Sequence, residues 1–402
     1  MKIDITLEQA LQRATPTLRR KMQHSVELLR KAERLAMHYD PQDGYFLAFS
    51  GGKDSQALYH MAQLVGVRFQ AHMNLTSVDP PEVIRFVRQQ YPDVQMTKPK
   101  DSIYNIAVQY GILPTQRARW CCMEFKETAG AGRVTLIGIR KAESTRRAKR
   151  KEVEISDHKF QGTLEELDVY REALNEKRRK KRSQKQGVNI TNATEEQTVG
   201  CIHGKESLLI SPIIDWTERD VWEFLNNVIR VPHCELYDQG WHRIGCINCP
   251  MASPKQKQIE KERWPHVRRN WIKAIMRIRS GGTNNPTSYQ KDIWRADSDP
   301  KAVWRDKMAT TLRTDVLQRK QPVCGGERKH QDERLARRGQ PTERCSKSSA
   351  NGGFSASSSS VGLTEEQERE IAENIYDWWI SGKGYKKWYA EKFLQQKLDF
   401  KE

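Results

Sequence analysis

Between Thr6 and Ala36 apolar residues recur every three or four positions among charged ones, a helical period, and Thr6-Leu7-Glu8-Gln9 has capping-box form. This predicts one or two helices over 5–39. The pattern then switches to short apolar runs, which predict strands at 44–49, Val67–Leu75, Val94–Met96, Val134–Gly138 and Leu208–Ile210. The run at 134–138 is apolar without interruption, as strands buried on both faces are. Helical patterns separate the runs. Ala57, Leu58, Met61 and Leu64 share one face, Pro80-Pro81 opens a helix near 82–90, and Ser102–Tyr110 forms another. Thr217-Glu218-Arg219-Asp220 caps a helix carrying Val221, Trp222, Leu225 and Val228. Strands alternating with helices predict an α/β fold built on a parallel, doubly wound sheet.

The texture divides the chain further. Residues 1–40 read as an N-terminal helical segment and 41–255 as the α/β domain, interrupted by a polar insertion over about 151–205. A basic helical region follows at 256–320, with Trp264 and Trp271 among its charges. Residues 321–361, rich in Gly, Ser, Lys and Arg, read as a disordered linker, and 362–402 as a C-terminal helical unit bearing Trp378, Trp379 and Trp388.

The first candidate chemistry sits at the end of the first strand, in Ser50-Gly51-Gly52-Lys53-Asp54-Ser55. Glycines at a strand-to-helix turn let backbone N–H groups approach a polyanion, and the helix N-terminus adds partial positive charge. Lys53 supplies a point charge for phosphate oxygens, and Ser50 and Ser55 supply hydroxyls. The Walker pattern does not fit, because no second glycine is spaced before Lys53.

A second constellation pairs Cys121-Cys122 with the distant Cys246-Ile247-Asn248-Cys249. Four thiolates can hold tetrahedral zinc or a [4Fe–4S] cluster, and adjacent cysteines suit a cluster better, since they can reach different irons. The third, Gly138-Ile139-Arg140-Lys141-Ala142-Glu143-Ser144-Thr145-Arg146, follows a buried strand, so it lies at the carboxyl end of the sheet, where ligands of open parallel sheets bind. Arg140 and Arg146 could grip a phosphate or sulfate there. Asp79, with Glu82 close by, is a softer candidate, suited equally to capping a helix and to touching a nucleotide. Cys201, His203, His233 and Cys234 match no zinc spacing and read as ordinary side chains.

Net charge changes the picture of partners. A formal +18 favours polyanions, either nucleotides or nucleic acid, and the basic insertion and the 255–280 stretch would suit the latter. No apolar run reaches the length of a membrane span, and the N-terminus lacks a signal core, so a cytoplasmic location is expected. Eight cysteines in that compartment read as thiols or metal ligands.

The glycine loop resembles the S-G-G-x-D-S pyrophosphate loop of the adenine-nucleotide α-hydrolase-like group, which contains the ATP pyrophosphatases and the phosphoadenosine-phosphosulfate (PAPS) reductase family. Arg119-Trp120-Cys121-Cys122-Met123-Glu124-Phe125-Lys126 is similar to that family's R-x-C-C-x-x-x-K. Leu236-Tyr237-Asp238-Gln239-Gly240-Trp241-His242-Arg243-Ile244-Gly245-Cys246-Ile247-Asn248-Cys249 looks like its L-Y-D-Q-G-Y-x-x-I-G-C-x-x-C. The Arg140 segment resembles its G-x-R-x-x-E-S-x-x-R substrate loop. The resemblance implies a Rossmann-like sheet of the α-hydrolase type with helical additions at both ends. It also implies an enzyme of sulfur metabolism, either a sulfonucleotide reductase or a sulfur transferase working through an adenylylated substrate.

The implied nucleotide site comprises Ser50, Gly51, Gly52, Lys53, Asp54, Ser55, Asp79, Gly138, Arg140, Glu143 and Ser144, with Lys53, Arg140 and Arg146 catalytic. The resemblance further implies a [4Fe–4S] cluster on Cys121, Cys122, Cys246 and Cys249, with zinc as the alternative. ATP, adenylyl sulfate or PAPS would be substrate, with Mg2+ accompanying ATP and a protein reductant or sulfur donor as partner. The family's C-terminal E-C-G-[IL]-H motif has no counterpart, and Cys324 and Cys345 both fall in the linker. Relatives acting in DNA phosphorothioation make ATP-dependent nucleic-acid modification the alternative activity, and a DNA-binding regulator that retains the fold the non-enzymatic one.

Overall fold

The structure, a computed structural model, describes residues 3–116, 118–127, 129–156, 160–186, 207–280 and 363–383. The expected linker at 321–361 lies outside the described residues, as do Cys201, Cys324, Cys345, Trp388 and the 281–320 half of the basic region.

Two helices open the chain, α1 (Leu7–Arg13) and α2 (Pro16–Tyr39). Thr6 and Gln9 make the capping box, and Thr15 with Pro16 starts α2. Within the expected N-terminal helical segment, 1–40, α2 packs directly on strands β1 (Tyr45–Ala48) and β4 (Val134–Leu136) and on α3 (Lys53–Val65). Its apolar stripe of Leu18, Met22, Val26, Leu29, Ala32 and Ala36 is buried, so this helix is one layer of the main core. Two buried bonds fasten it: the Tyr45 hydroxyl donates to the Leu29 carbonyl at 2.7 Å, and Ser25 Oγ to that of Pro212 at 2.6 Å.

Among the described residues the sheet has seven strands in the order β3-β2-β1-β4-β7-β5-β6. Strands β2 (Phe69–Asn74), β3 (Gln95–Thr97) and β7 (Leu208–Ile210) join β1 and β4 in a parallel block, with Tyr45 opposite Phe69 and Phe46 opposite Thr135. From β1 the chain builds outward through α4 (Pro81–Gln90) to β3, passes through α5 (Ile103–Tyr110) and α6 (Trp120–Cys122), and crosses back to β4 on the other side of β1. The loops after β1 and β4 therefore diverge at a topological switch point, where parallel α/β sheets open a ligand crevice.

One expectation changes here. Residues 151–162 belong to no polar insertion, because β5 (Val153–Ile155) and β6 (Phe160–Gly162) form an antiparallel hairpin that extends the sheet beyond β7. Val153 and Ile155 are buried, and the buried Glu154 carboxylate is neutralised by Arg150, whose Nε lies 2.9 Å from both of its oxygens. Helix α7 (Leu164–Gln186) follows, and after β7 comes α8 (Glu218–Glu223), which continues into a π-helical turn at Phe224–Val228. Trp264-Pro265 divides the basic stretch into α9 (Pro254–Arg263) and α10 (Pro265–Arg279), since proline cannot continue a hydrogen-bonded helix. A further helix, α11 (Glu365–Ser381), packs on α9 and α10.

Candidate functional site: an anion cradle beside four cysteines

The loop from Ser50 to Ser55 turns sharply at the end of β1. Gly51 has φ +72°, and a Cβ there would come within 2.8 Å of Val83 and Val87, so α4 closes on the bare backbone. Gly52 caps α3 without a side chain, leaving the first N–H groups of α3 directed at the crevice. Ser55 Oγ donates to the Gly52 carbonyl at 2.8 Å and lies 3.2 Å from Ser50 Oγ, which fixes both hydroxyls at the rim.

Lys53 is only 4% exposed. Its Nζ donates to the His242 carbonyl at 2.9 Å, lies 3.4 Å from Glu218 and 3.9 Å from Asp54, and rests 5.4 Å from the centroid of the Tyr237 ring. Its backbone N–H donates to the Tyr237 hydroxyl at 2.8 Å. Burial raises the pKa of that phenol, so the hydroxyl stays protonated and sits as a neutral oxygen on a donor suited to an anion.

The β4 loop meets this cradle from the other side of the switch point. A Cβ on Gly138 would stand 3.0 Å from the Asp54 carbonyl, so glycine lets the strand end touch the start of α3. Arg140, 4% exposed, bonds Asp54 through Nε at 2.6 Å and reaches the Trp216 carbonyl at 3.5 Å. Burial pushes the Asp54 carboxyl upward, against the opposing pull of Lys53 and Arg140. Glu143 accepts the Arg140 backbone N–H at 3.0 Å and pairs with Arg147. Arg146 and Ser144 are exposed on the outer turn, and Ser144 Oγ accepts the Arg147 N–H. Arg140 is thus built into the loop, whereas Arg146 is exposed on its outer turn. Asp79 accepts from Thr76, at 2.6 Å from the backbone N–H and 3.0 Å from Oγ1, so it closes a turn before α4 and does not cap that helix.

The same Thr76 leads to the cysteines. Its Oγ1, whose proton goes to Asp79, lies 3.5 Å from Cys246 Sγ, Lys126 Nζ lies 3.2 Å from that sulfur, and the Ile247 N–H donates to the Val78 carbonyl at 2.7 Å. Lys126 reaches Cys246 from a π-helical turn, Met123–Glu127, that follows Cys121-Cys122 directly. The Cys121 thiol is pushed up by its hydrogen bond with Cys122, then by burial, then by the charges of Cys122, Cys246 and Cys249. Burial, with the charge of Cys246 next, does the same to Cys249, and Lys126 is raised chiefly by Cys246. The two pairs, distant in sequence, therefore stand within electrostatic reach of one another. Among the described residues no group of three or more His, Cys, Asp or Glu side chains converges closely enough to hold a metal ion. Cys234 is fully buried, and its neighbour His233 pairs with Asp238 at 2.9 Å beside a hollow of about 510 Å³.

Sequence reasoning missed the partners of Lys53. Tyr237, His242 and Glu218 lie far along the chain, and no local pattern points from them to the glycine loop. The segment Leu236–Cys249 was noticed for its cysteines, yet its first half covers the cradle.

Residues 44–252 match the model of the phosphoadenosine phosphosulfate reductase domain, and the chain belongs to that family. An uncharacterized protein of Methanocaldococcus jannaschii is 41% identical over 71 residues, 17% of this chain and 16% of that relative. The adenosine 5'-phosphosulfate reductase of Allochromatium vinosum is 38% identical over 55 residues, 14% of this chain and 21% of that relative. The chain thus spans about a fifth or less of the length of these relatives. A solved phosphoadenylyl-sulfate (PAPS) reductase from Candida auris, in a phosphate complex, aligns at 15% identity over 55% of this chain and 87% of that one, with a TM-score of 0.29.

Proposed function

We propose that the protein is a sulfonucleotide-binding enzyme that reduces adenylyl sulfate or PAPS. The observation that carries this reading is the buried Lys53 ammonium at the N-terminus of α3, at the switch point, with Cys246 tied to the neighbouring Thr76 turn. Gly51 and Gly52 give the phosphate close backbone approach, Lys53 neutralises its charge, and the Asp54–Arg140 pair holds the loop in shape. Arg146, on the outer turn, meets the distal sulfate or phosphate. One thiolate of a dithiol protein reductant attacks the sulfonate sulfur, the S–O bond to AMP (or to the bisphosphate) breaks, and the reductant's second thiol then displaces sulfite as its disulfide forms.

Cys121, Cys122, Cys246 and Cys249 would hold a [4Fe–4S] cluster. The set is all thiol, and Lys126 directs a proton at Cys246, as a hydrogen bond to cluster sulfur requires. Such a cluster would tune the electrostatics beside the nucleotide, its anionic charge offset by the Lys126 ammonium at Cys246. Anaerobically purified protein is expected to contain iron and sulfide in equal amounts. Zinc without sulfide would replace the cluster by a structural ion.

The testing experiment incubates the protein anaerobically with ATP, adenylyl sulfate or PAPS and a dithiol reductant, and assays AMP, the bisphosphate, sulfite and pyrophosphate. Sulfite from a sulfonucleotide, abolished in Lys53→Met, is expected. Pyrophosphate from ATP without sulfite from either sulfonucleotide would replace reduction by adenylylation. The nucleic-acid alternative loses weight in α9 and α10, where Lys261, Arg263, Arg268 and Arg279 already pair with Asp377, Glu82, Glu373 and Glu368.

A further inference from the structure

We infer that α11, a helix beyond the family-matched region, is a clip that sets the spacing between the two cysteine pairs, with Tyr376 and Trp379 as the positioning residues. The inference rests on the reading that the four cysteines form one site.

The Cys246–Cys249 turn is closed by the Cys249 N–H donating to the Cys246 carbonyl at 3.2 Å and is braced further from outside. Asn248, between the two cysteines, has φ +57° and is 1% exposed, a left-handed conformation that asparagine adopts more readily than other non-glycine residues. Support comes from outside the turn. The Asn248 backbone N–H donates to Glu260 of α9 at 2.5 Å, and its Nδ2 donates to the Tyr376 hydroxyl of α11 at 2.6 Å. Both bonds are buried, so losing either leaves a polar group unpaired away from water.

The other pair is held from the same helix. Trp379 Nε1 donates to the Pro114 carbonyl at 2.7 Å, a buried bond. Pro114 opens the turn in which the Thr115 N–H donates to Ala118, and Ala118 leads through Arg119 into Cys121-Cys122. Tyr376 and Trp379 are three residues apart on one face of α11. A single rigid surface therefore touches the segment before one cysteine pair and the residue inside the other.

Helix α11 itself is fixed. Lys261–Asp377 at 2.7 Å, Arg279–Glu368 at 2.8 Å and Arg268–Glu373 at 3.3 Å join it to α9 and α10, and Trp379 packs on Trp271 at 4.9 Å between centroids. A helix that only covered apolar surface would need the rings but not the Tyr376 hydroxyl.

The experiment measures iodoacetamide alkylation of each cysteine by peptide mass spectrometry, on full-length protein stripped of metal under anaerobic, reducing conditions. Tyr376→Phe keeps the ring and should raise the rates at Cys246 and Cys249 about fivefold, the size expected for one hydrogen bond, with Cys121 and Cys122 unchanged. Trp379→Phe should reverse that selectivity. Buried Cys234 reports global loosening. Asn248→Gly tolerates the backbone angle and should reproduce the Tyr376→Phe rates, and the double variant should add nothing further. Four unchanged rates, or four rates rising in step with Cys234, would overturn the inference. Iron and sulfide content before stripping reports separately on the cluster, so absent iron with selective alkylation would remove the cluster and keep the clip.

Discussion

An ammonium group taken out of water needs negative partners, and Lys53 is thinly supplied. At 4% exposure it has a neutral carbonyl at 2.9 Å, while Glu218 and Asp54 lie at 3.4 and 3.9 Å, and Asp54 is already shared with Arg140. A phosphate oxygen would complete it. Lys53→Met should weaken adenylyl sulfate binding by about 10- to 100-fold, the usual worth of a hydrogen bond to a charged group, measured by anaerobic calorimetry. Tyr237 acts in the opposite direction. Its hydroxyl occupies the Lys53 N–H at 2.8 Å, so an incoming oxygen must displace it. Tyr237→Phe should tighten binding by up to about tenfold in the same assay, because the displaced bond no longer opposes the ligand. A weakening would mean that the hydroxyl touches the nucleotide instead.

At the scale of an element, α3 links the anion cradle to the aromatic core. His60, in its middle, is fully buried between Gln63 and Tyr91, each at 2.9 Å, and burial depresses its pKa from 6.5 to about 4. The folded chain therefore binds that proton less readily than the unfolded one. The neutral histidine's contribution is intact above pH 6.5 and is lost as pH falls toward 4, up to about 3 kcal/mol. Thermal melts from pH 7 to 4 should show a steep fall in Tm, made shallower by His60→Gln.

Helix α3 was legible in the sequence because Ser-Gly-Gly-Lys precedes a clean apolar face, as α2 and α8 were legible from their capping residues. The β5–β6 hairpin was not. Glu154 and Gln161 break its apolar pattern, and what neutralises Glu154 is Arg150, a contact visible only in three dimensions. The π-helical turn after Cys122 carries no sequence signature either, yet it places Lys126 on Cys246. Likewise the glycine loop and the cysteines could be read directly, while Tyr237 over the loop and Tyr376 under Asn248 depend on long-range packing.

For the whole molecule, the positive charge and the domain limits both look different once folded. A formal +18 favoured polyanions, nucleic acid among them, but Lys261, Arg268 and Arg279 of α9 and α10 pair with acids of α11, so these three dock a helix. The family model starts at residue 44, yet the core does not. Helix α2 buries Leu18, Met22, Val26, Leu28, Leu29 and Leu35 against the sheet. Each such side chain is worth about 1.5–3 kcal/mol, so their sum rivals the whole stability of an ordinary domain, about 5–15 kcal/mol. Deleting residues 1–40 would also strip the Leu29 carbonyl from the buried Tyr45 hydroxyl and expose one face of β1, the strand that ends in the anion loop. A chain beginning at Pro41 is therefore expected to be insoluble or molten, with no cooperative thermal transition and rapid proteolysis. A soluble, cooperatively melting 41–402 fragment that still binds adenylyl sulfate would show that α2 covers the core without being needed to hold it.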